Sequence, residues 1–519
     1  PCRSRADARH RESTRGFIMR RGSRSRQPAE PERPAITTPP AGGAYRPLSD
    51  ADRDAIIDHA FDMLEHVGMA DAPEGLAQRL IDGGARQRDD GRILLSRSMV
   101  EGALNRAPST VSLPGFVEDK GVSIGGTGVH IGTGGAAVQV LDAATGTYRD
   151  SKLRDLWSMM RVLDEMPNIH YGLRPLMARD VADHLELDLN TAFAITAATS
   201  KPTGLSFTSA STVDPVIDLF DASLGGEGRF AKQPFSMAVI VHAVPPLRFS
   251  PDGYEIMERA IERGMIVQSC SAGQAGATSP PSLAGSLAQG LAEILAAVVM
   301  ADAIKPGHPS IHAFMPFVSD LRTGAMTGGS GEAAVISAAA SQLLGYLDIP
   351  HAVSAGITEA KSADIQAGYE KSYTVTLSAH AGADMVQLSV GMLGSIMVAS
   401  PEILVIDSDM CGAILRSVRG VEVQSAYLDL DIIEDVVSGD GHYLGEPQTL
   451  ELMRSEYVYP ALGDRRTVDE WVAAGQPSLW DRAQERVAEI LSAGRPDHLS
   501  NENEATIRER FPIHLEQKT

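Results

Sequence analysis

The stretch HAVSAGITEAKSADIQAGYEKSYT, residues 351–374, decides the fold of this chain. Its first seven residues are almost all apolar or small, which is typical of a strand that is buried on both faces. Polar residues then follow closely from Thr358 to Lys371, and the later part has a helical pattern. A buried strand that opens into a polar loop and a helix is the repeating unit of a (β/α)8 barrel, whose chemistry lies in the loops after the strands.

On both sides of this unit, apolar strand patterns alternate with helical patterns. We count eight strand candidates: IHYGLRPL, TGLSF, FSMAVIVHAV, MIVQSCSAG, SIHAFMPF, PHAVSAGI, DMVQLSVGM and ILVIDSDM. Because they are nearly continuous in apolar residues, they predict a parallel sheet covered on both faces. The sequence therefore predicts an α/β fold, a (β/α)8 TIM barrel over residues 151–425, although the seventh connection, LGSIMVASPE, is short.

The segments outside the barrel have different patterns. Residues 48–150 predict an N-terminal α+β appendage of three helices and short β runs (TVSLPGF, VSIGG and VHIGTGG), with a hairpin in AVQVLDAATGTYRD. Residues 426–519 predict a C-terminal helical region. Residues 1–47 predict a disordered basic tail, because the first 34 residues hold ten Arg against four acids. The first Met is Met19, and we interpret the part before it as an upstream translation artefact.

Composition excludes several classes of protein. The 519 residues include 46 basic and 67 acidic side chains, a net charge of -21, which argues against binding of nucleic acid or anionic membranes. No apolar run predicts a membrane span, and LAEILAAVVMADAI predicts a buried helix. Cys2, Cys270 and Cys411 lie far apart without metal-binding spacing, which favours a reducing, cytoplasmic compartment. We also expect a homo-oligomer.

Candidate site residues follow the predicted sixth strand. If ADIQAGYEKSYT is helical, Gln366, Glu370 and Tyr373 share one face, and Glu359 precedes them on the loop. One interpretation is a polar wall with a carboxylate and an aromatic ring. The alternative is a solvated helix start, where acidic residues favour the helix dipole.

Other strand ends offer further candidates. HAFMPFVSDLRTGAMTGGSGE places His312, Phe314 and Phe317 at the end of the predicted fifth strand, followed by Asp320 and Arg322. The two rings predict either a pocket for a cation or core packing. Gln274 follows the fourth strand among small residues, and TGGSGE is at most a weak anion-binding turn. VIDSDM places Asp407 and Asp409 at the predicted eighth strand end, where they bind a cation or cap the next helix.

Several long motifs resemble the trimethylamine:corrinoid methyltransferase family. They are GTGGAAVQVLD, YRDSKLRDL, RPLMARD, ELDLNTAF, SAGQAGATSP, PFVSDLRTGAMTGGSGE, AGITEAKSADIQAGYEK and VIDSDMCGAILRSVRG, and they run from about residue 48 to residue 512. The resemblance implies a (β/α)8 barrel that moves a methyl group from a methylated amine to the Co(I) of a corrinoid. The corrinoid is carried by a small partner protein, and no tightly bound metal is expected.

Founding members of that family carry pyrrolysine, which captures trimethylamine. The matching position here is Ile357, or Gly356 if the register slips, and neither forms an adduct with an amine. The resemblance therefore implies the branch without pyrrolysine, which is similar to glycine betaine methyltransferase. A quaternary nitrogen suits that branch, because it leaves as a neutral amine and the protein supplies mainly position and electrostatics.

The predicted site combines these residues. The catalytic candidates are Glu359, Gln366 and Glu370. The substrate-binding candidates are Phe207, Gln274, His312, Phe314, Phe317, Arg322, Ile357 and Tyr373, and a substrate carboxylate would bind Arg174, Arg322, His312 or Gln274. Two alternatives stay open: a metal-dependent barrel lyase or isomerase that uses Glu359 or Glu370 as its base, and a non-catalytic protein that binds quaternary amines.

Overall fold

The protein is described here by a computed structural model that covers residues 40–439 and 441–516. The predicted basic tail lies almost wholly outside these residues. The described chain divides into two compact units, residues 433–457 and the remaining residues. The smaller unit contains most of one short helix and the whole of another, and the larger unit contains the barrel.

Eight parallel strands form one continuous sheet, and a helix follows each strand along the chain. The strands are β1 His130–Ile131, β2 Gly172–Leu173, β3 Thr203–Leu205, β4 Ser236–Val241, β5 Val267–Ser271, β6 Ser310–Phe314, β7 His351–Ser354 and β8 Met385–Gln387. β1 pairs with β8, and the bridge between Gly132 and Tyr171 joins β1 to β2. The sheet therefore closes on itself, and the predicted (β/α)8 barrel is confirmed.

The helices that follow the barrel strands form the outer layer of the barrel, and other helices come before and after the barrel along the chain. Before the barrel come α1 Asp50–Asp62, the π-helix Met63–Val67, α2 Glu74–Asp82 and α3 Arg97–Arg106. The barrel helices are α4 Leu153–Asp164, α5 His184–Ala198, α6 Val213–Ser223, α7 Pro251–Glu262, α8 Leu283–Ile304, α9 Gly331–Tyr346, α10 Ile365–His380 and α11 Pro401–Arg419. After it come α12 Leu430–Ser438, α13 Pro447–Leu452, α14 Val468–Ala473, α15 Leu479–Ser492 and α16 Asn501–Arg510.

One of these helices, α8, is long and apolar enough to cross a membrane by composition alone. In the structure it lies between strands β5 and β6 on one side and helices α1, α2 and α3 on the other. Most of its side chains are buried there. A helix that is apolar on every side is expected where both of its faces are covered, so α8 is a core helix of the barrel.

Short strands and turns lie at the two ends of the barrel. At the N-terminal end, the hairpin of Val111–Leu113 and Val122–Ile124 packs its apolar side chains into the barrel interior. At the C-terminal end, Gln139–Asp142, Thr147–Asp150, Met392–Leu393 and Val398–Ala399 form a four-stranded sheet, and Gln274–Ala275 pairs with Phe317–Val318. The remaining short elements are the strand pair Arg86–Gln87 and Ile93–Leu94 and the 3-10 turns Glu118–Lys120, Ala210–Thr212, Phe230–Lys232 and Ser425–Leu428.

The order of the barrel strands differs from the prediction in one respect. The prediction that ILVIDSDM forms the eighth strand is wrong, because this segment lies inside α11. Ser400 caps that helix and Pro401 is its first residue, which are start signals for a helix. The missing strand is β1, from the motif VHIGTGG, so the observed barrel extends N-terminally of residue 151. The hairpin predicted around DAATG is confirmed and belongs to the connection from β1 to α4.

Two helical glycines test how tightly the outer layer packs. A Cβ on Gly290 of α8 would overlap the ring of Phe314, whereas a Cβ on Gly368 of α10 would meet no neighbouring atom. We expect Gly290→Ala to destabilise the protein by about 1–3 kcal/mol through overpacking. Gly368→Ala should stabilise it by about 0.5–1 kcal/mol, because alanine favours a helix interior. Chemical denaturation measures the unfolding free energy of both variants. Equal changes in that free energy would contradict the close packing of Gly290 against Phe314.

Candidate active site

The C-terminal end of the barrel opens into a cup. Side chains alternate along β4, so Met237 and Val239, which join the interior cluster, share their face with Val241. Val241 is nevertheless 55% exposed. An inward-facing valine that meets solvent indicates that water reaches the barrel at this end, whereas the hairpin at residues 111–124 packs into the other end.

The lining of this cup is mainly apolar. Met315, Ile357 and Leu388 are buried members of the interior cluster. Further residues pack against that cluster while staying partly exposed at the mouth: Val239, Ala272, Phe317, Met326 and Ile396. One aromatic ring and two thioethers thus lie among aliphatic groups, and two of the predicted binding residues, Phe317 and Ile357, belong to this lining.

Two glutamines face the barrel interior, and the sequence reasoning missed both. Gln268 shares its strand face with Cys270, and Gln387 shares its face with Met385. The amide nitrogen of Gln387 lies 3.0 Å from the sulfur of Met315. Its oxygen, and both polar atoms of Gln268, are buried without a partner among the described residues. In the sequence, each of these glutamines is the one amide in a largely apolar strand pattern, and this pattern was the signal that could have identified them.

The carboxyl group of Glu370 holds the loop after β7. One oxygen accepts hydrogen bonds from the Thr358 hydroxyl at 2.6 Å and from the Glu359 backbone N–H at 2.9 Å. The other oxygen accepts a bond from the Gln366 amide at 2.9 Å. Glu370 is buried, and all of these partners belong to its own loop and helix. Its contacts therefore differ from the substrate contact that the sequence predicts.

Glu359 reaches across to the loop after β6. Its carboxyl group accepts backbone N–H groups from Gly328, at 2.6 Å, and from Gly329, at 3.2 Å. A Cβ at Gly329 would lie 2.7 Å from a carboxyl oxygen of Glu370, so the glycine permits this close approach. The weak anion-binding turn TGGSGE thus binds a carboxylate of the same chain.

The helix predicted after this loop is confirmed as α10, and its polar face points at the same loops. Tyr373 donates its hydroxyl to the carbonyl of Gly329. Burial, together with the charges of Glu370 and Glu359, raises the pKa of Tyr373 to about 12. Glu359, Gln366, Glu370 and Tyr373 therefore join the loops after β6 and β7 into one wall of the cup.

Three predicted binding residues lie outside the barrel interior. His312 and Phe314 occupy the face of β6 opposite to Ile311 and Ala313, so they point toward the helices. His312 is bonded to the hydroxyl of Ser269 at 2.8 Å, and burial lowers its pKa to about 3. Phe207, after β3, packs in the outer core. These side chains do not line the cup, because they lie on the side of the chain that faces the surrounding helices and not on the side that faces the barrel interior.

Two more predicted residues lie on the upper loops and already have partners. Gln274 donates its amide to the hydroxyl of Ser319 at 2.7 Å. The side chain of Arg322 is 88% exposed and pairs with Asp320 at 2.7 Å. That guanidinium lowers the pKa of Asp320 to about 2. Both side chains are therefore bonded to neighbouring residues of these loops.

The acidic pair from VIDSDM lies on α11, not at a strand end. Asp407 is buried and pairs with Lys371 at 3.1 Å. Asp409 accepts backbone N–H groups from Ala461, Leu462 and Gly463 at 2.6–2.9 Å, which attaches the chain after residue 458 to α11. Both carboxyl groups hold protein segments, and within residues 40–439 and 441–516 no group of three His, Cys, Asp or Glu side chains is arranged around a metal position.

Arg174, at the end of β2, is the remaining candidate for a substrate carboxylate. Its guanidinium donates to the Ser206 hydroxyl at 2.8 Å, and its Nε is buried without a partner among the described residues. Burial lowers its pKa, and the charge of Asp188 opposes that shift without forming a direct ion pair. Asp188 itself accepts three donors, from Thr208 and Thr212.

Comparison with known proteins identifies the relatives of this chain. The model of the family "Trimethylamine methyltransferase (MTTB)" matches residues 15–512. Trimethylamine methyltransferase MttB of Desulfitobacterium hafniense is 28% identical over 462 residues, covering 89% of this chain and 92% of the relative. Glycine betaine methyltransferase of another strain of that species is 27% identical over 468 residues, covering 89% and 96%. MttB of Methanosarcina thermophila is 31% identical over 399 residues, covering 76% and 81%.

Among solved structures, the monomethylamine methyltransferase MtmB of Methanosarcina barkeri is similar, with a TM-score of 0.48 and 13% identity. The similarity covers 85% of this chain and 94% of that chain.

The structural role of Glu370 gives a testable expectation. In Glu370→Gln one of the two carboxyl oxygens becomes an NH2 group, so the donors bonded to that oxygen lose their acceptor while the other oxygen still accepts. We expect unfolding free energy to fall by about 1–3 kcal/mol. Thermal unfolding measures this loss, and Glu255→Gln, at an exposed position on α7, is the matched control with an expected change within about 0.5 kcal/mol. Equal stability of the two variants would contradict the hydrogen-bond network.

Proposed function

The chain belongs to the trimethylamine methyltransferase family, and we propose that it transfers a methyl group from a quaternary or otherwise methylated amine to a corrinoid held by a partner protein. Its curated relatives are named methyltransferases, and the chain spans most of their length. The coarse activity, methyl transfer, follows from that membership. The substrate, the corrinoid and the roles of individual residues are our proposals.

The open cup supports this proposal most directly. A methyl acceptor that is carried on another protein must enter through the end of the barrel where Val241 meets solvent, since the hairpin fills the opposite end. Large apolar side chains are also exposed at the end of β4 and in the connections after β4, β6 and β8, namely Val241, Val244, Leu321 and Met397. Exposed apolar groups that cluster on one face are typical of a protein-docking surface, and we assign this rim to the corrinoid protein.

A corrinoid presented at the mouth would supply a Co(I) nucleophile for the methyl carbon. The electron pair of the breaking C–N bond stays on nitrogen, so a quaternary substrate leaves as a neutral amine without prior protonation. The protein therefore has to hold the cation and aim one methyl group at the mouth. We propose that Phe317 contacts the cation with its ring, and that Met315, Met326 and Ile357 surround the other methyl groups.

Electrostatics favours a cationic substrate at this position. The chain carries a net charge of -21, which attracts cations toward the protein. Glu359 and Glu370 lie in the wall formed by the loops after β6 and β7, and their hydrogen bonds keep them behind the lining. In this proposal they supply negative potential without contacting the methyl groups.

The position that matches pyrrolysine in the family resemblance falls on Gly356 or Ile357. Ile357 is buried in the interior cluster, and Gly356 has a positive φ of 84° against the loop after β8. An aliphatic side chain holds methyl groups by contact alone, so the substrate has to be activated by its own charge. This favours a quaternary amine over trimethylamine. We also propose a cytoplasmic homo-oligomer; Cys270 and Cys411, the free cysteines of the described residues, are both buried.

A donor panel tests the proposed reaction. Purified protein is mixed with Co(I) cobalamin and, in separate reactions, with glycine betaine, proline betaine, carnitine, choline or trimethylamine. Loss of the Co(I) absorption should accompany one quaternary donor and not trimethylamine, because the tertiary amine would have to leave as an amide anion. Rapid turnover of trimethylamine would contradict the substrate class. No turnover with any donor would contradict the methyl-transfer proposal for free cobalamin.

A second test concerns Arg174 and the carboxylate of a betaine substrate. Arg322, His312 and Gln274 are engaged or face elsewhere. Arg174 follows the inward-facing Leu173 and so begins on the outer side of the chain, but its guanidinium reaches the Ser206 hydroxyl and keeps one buried N–H group without a partner among the described residues. Arg174→Gln should weaken glycine betaine binding about 10–100-fold, because charged hydrogen bonds contribute about 1.5–3 kcal/mol. Tetramethylammonium, which has no carboxylate, should bind Arg174→Gln and the wild type equally. Calorimetry measures both ligands, Arg322→Gln is the control, and an unchanged betaine affinity removes Arg174 from the site.

A further inference from the structure

A buried ion pair lies directly behind the wall of the cup. Lys371 belongs to α10 and Asp407 to α11, and both side chains are almost completely buried. The ammonium nitrogen lies 3.1 Å from a carboxyl oxygen of Asp407. Burying two charges is costly unless each is fully bonded, and a hydrophobic pair of similar volume is often as stable. An ion pair at this place therefore requires a reason other than stability.

The remaining bonds of this pair connect two strand-end loops. Lys371 donates to the carbonyl of Gly356, after β7, at 2.9 Å and to the carbonyl of Met392, after β8, at 3.1 Å. Asp407 accepts the backbone N–H of Gly391 at 2.8 Å. All three N–H donors of the ammonium thus have acceptors. One charge pair holds the two loops at a fixed separation.

The two loops approach each other so closely that neither can shift without displacing the other. A Cβ on Gly356 would lie 2.5 Å from the carbonyl oxygen of Ser389, so the two backbones are in direct contact. Gly356 precedes Ile357, and Ser389 follows Leu388, and both of these side chains line the cup. A small shift between the loops would therefore change the shape of the cup where we place the substrate.

We propose that Lys371 and Asp407 are positioning residues, whose ion pair sets the relative position of the loops after β7 and β8 and thereby the shape of the cup. The pair does not touch the substrate in this arrangement. The catalytic consequence rests on the proposed function, whereas the structural consequence does not, so the two are separable by experiment.

The double variant Lys371→Met/Asp407→Leu tests this proposal. It removes both charges and keeps an apolar pair of similar size, so the barrel is expected to fold. Deuterium exchange should become at least tenfold faster in peptides spanning residues 354–362 and 388–395. With glycine betaine and Co(I) cobalamin, kcat/KM per folded molecule should fall about a hundredfold, since a displacement of about 1 Å in a reactive site has an effect of this size. Asp407→Asn is a second variant with the same expected directions, should the double variant not fold.

Lys201 offers a matched control for a buried ammonium group. It is also fully bonded, to the carbonyls of Leu163, Met166 and Ile169 at 2.6–2.9 Å, but it precedes β3 at the opposite end of the barrel. Lys201→Met should leave exchange at residues 354–362 and 388–395, and kcat/KM per folded molecule, at the wild-type values. Changes equal to those of the double variant would show a general effect of losing a buried charge and would overturn the proposal.

The remaining outcomes are also decisive. Wild-type exchange in both loops of the double variant would overturn the proposal, whatever the activity. Faster exchange with unchanged kcat/KM would overturn the catalytic consequence. If the wild type transfers no methyl group from glycine betaine, the proposed substrate fails on its own, and the exchange measurement still decides whether the ion pair positions the loops.

Discussion

Closure of the barrel through a two-residue strand is the constraint on which the rest of the structure depends. β1 pairs with β8 along one edge, and Gly132 bridges to Tyr171 along the other. The ring of Tyr171 occupies the space where a Cβ of residue 132 would be, and its hydroxyl donates to the carbonyl of Val386. Three strands therefore meet at one contact that only glycine permits. Closure brings the connections after β1 and β8 into one four-stranded sheet and fixes the rim that surrounds the cup.

Several charged groups around this rim hold loops, and none of them is among the apolar side chains that line the cup. Glu359 bonds the glycine turn after β6, Glu370 bonds the loop after β7, and Lys371 with Asp407 bonds the loops after β7 and β8. On the other side, buried Glu293 of α8 accepts the hydroxyl of Ser271 and the backbone N–H of Leu247. Each carboxylate accepts backbone or hydroxyl donors of a strand end, and the Lys371 ammonium donates to backbone carbonyls, so loops without regular structure acquire a fixed shape.

The sequence predicted the fold better than the site, and particular residues show why. Seven strands were found because an apolar run before a helix has a clear pattern, but ILVIDSDM has the same composition in a helix, and only Ser400 and Pro401 distinguish it. In a barrel both faces of a strand are buried, so alternation does not reveal which face points inward. His312 and Phe314 were therefore assigned to a pocket although they face α8 and its neighbours, and Gln268 and Gln387 were missed. Phe317, which lies beyond its barrel strand, does reach the lining of the cup, whereas Phe207, which also follows its strand, packs in the outer core.

Under the proposed function, the apolar lining of the cup suits a reaction that moves a positive charge. A quaternary ammonium ion would leave as a neutral amine, and its positive charge would pass with the methyl group to the acceptor. Water stabilises a concentrated charge more than a charge that is spread over the transition state, so exclusion of water by apolar walls would lower the barrier to transfer. Carboxylates in direct contact with the methyl groups would instead stabilise the substrate cation more than the transition state. In the proposed function, the negative potential of Glu359 and Glu370 would attract the cation while the reacting atoms stay in hydrocarbon surroundings. The hydrogen bonds that remove these carboxylates from the surface of the cup are, in this proposal, the feature that makes the cup suitable for methyl transfer.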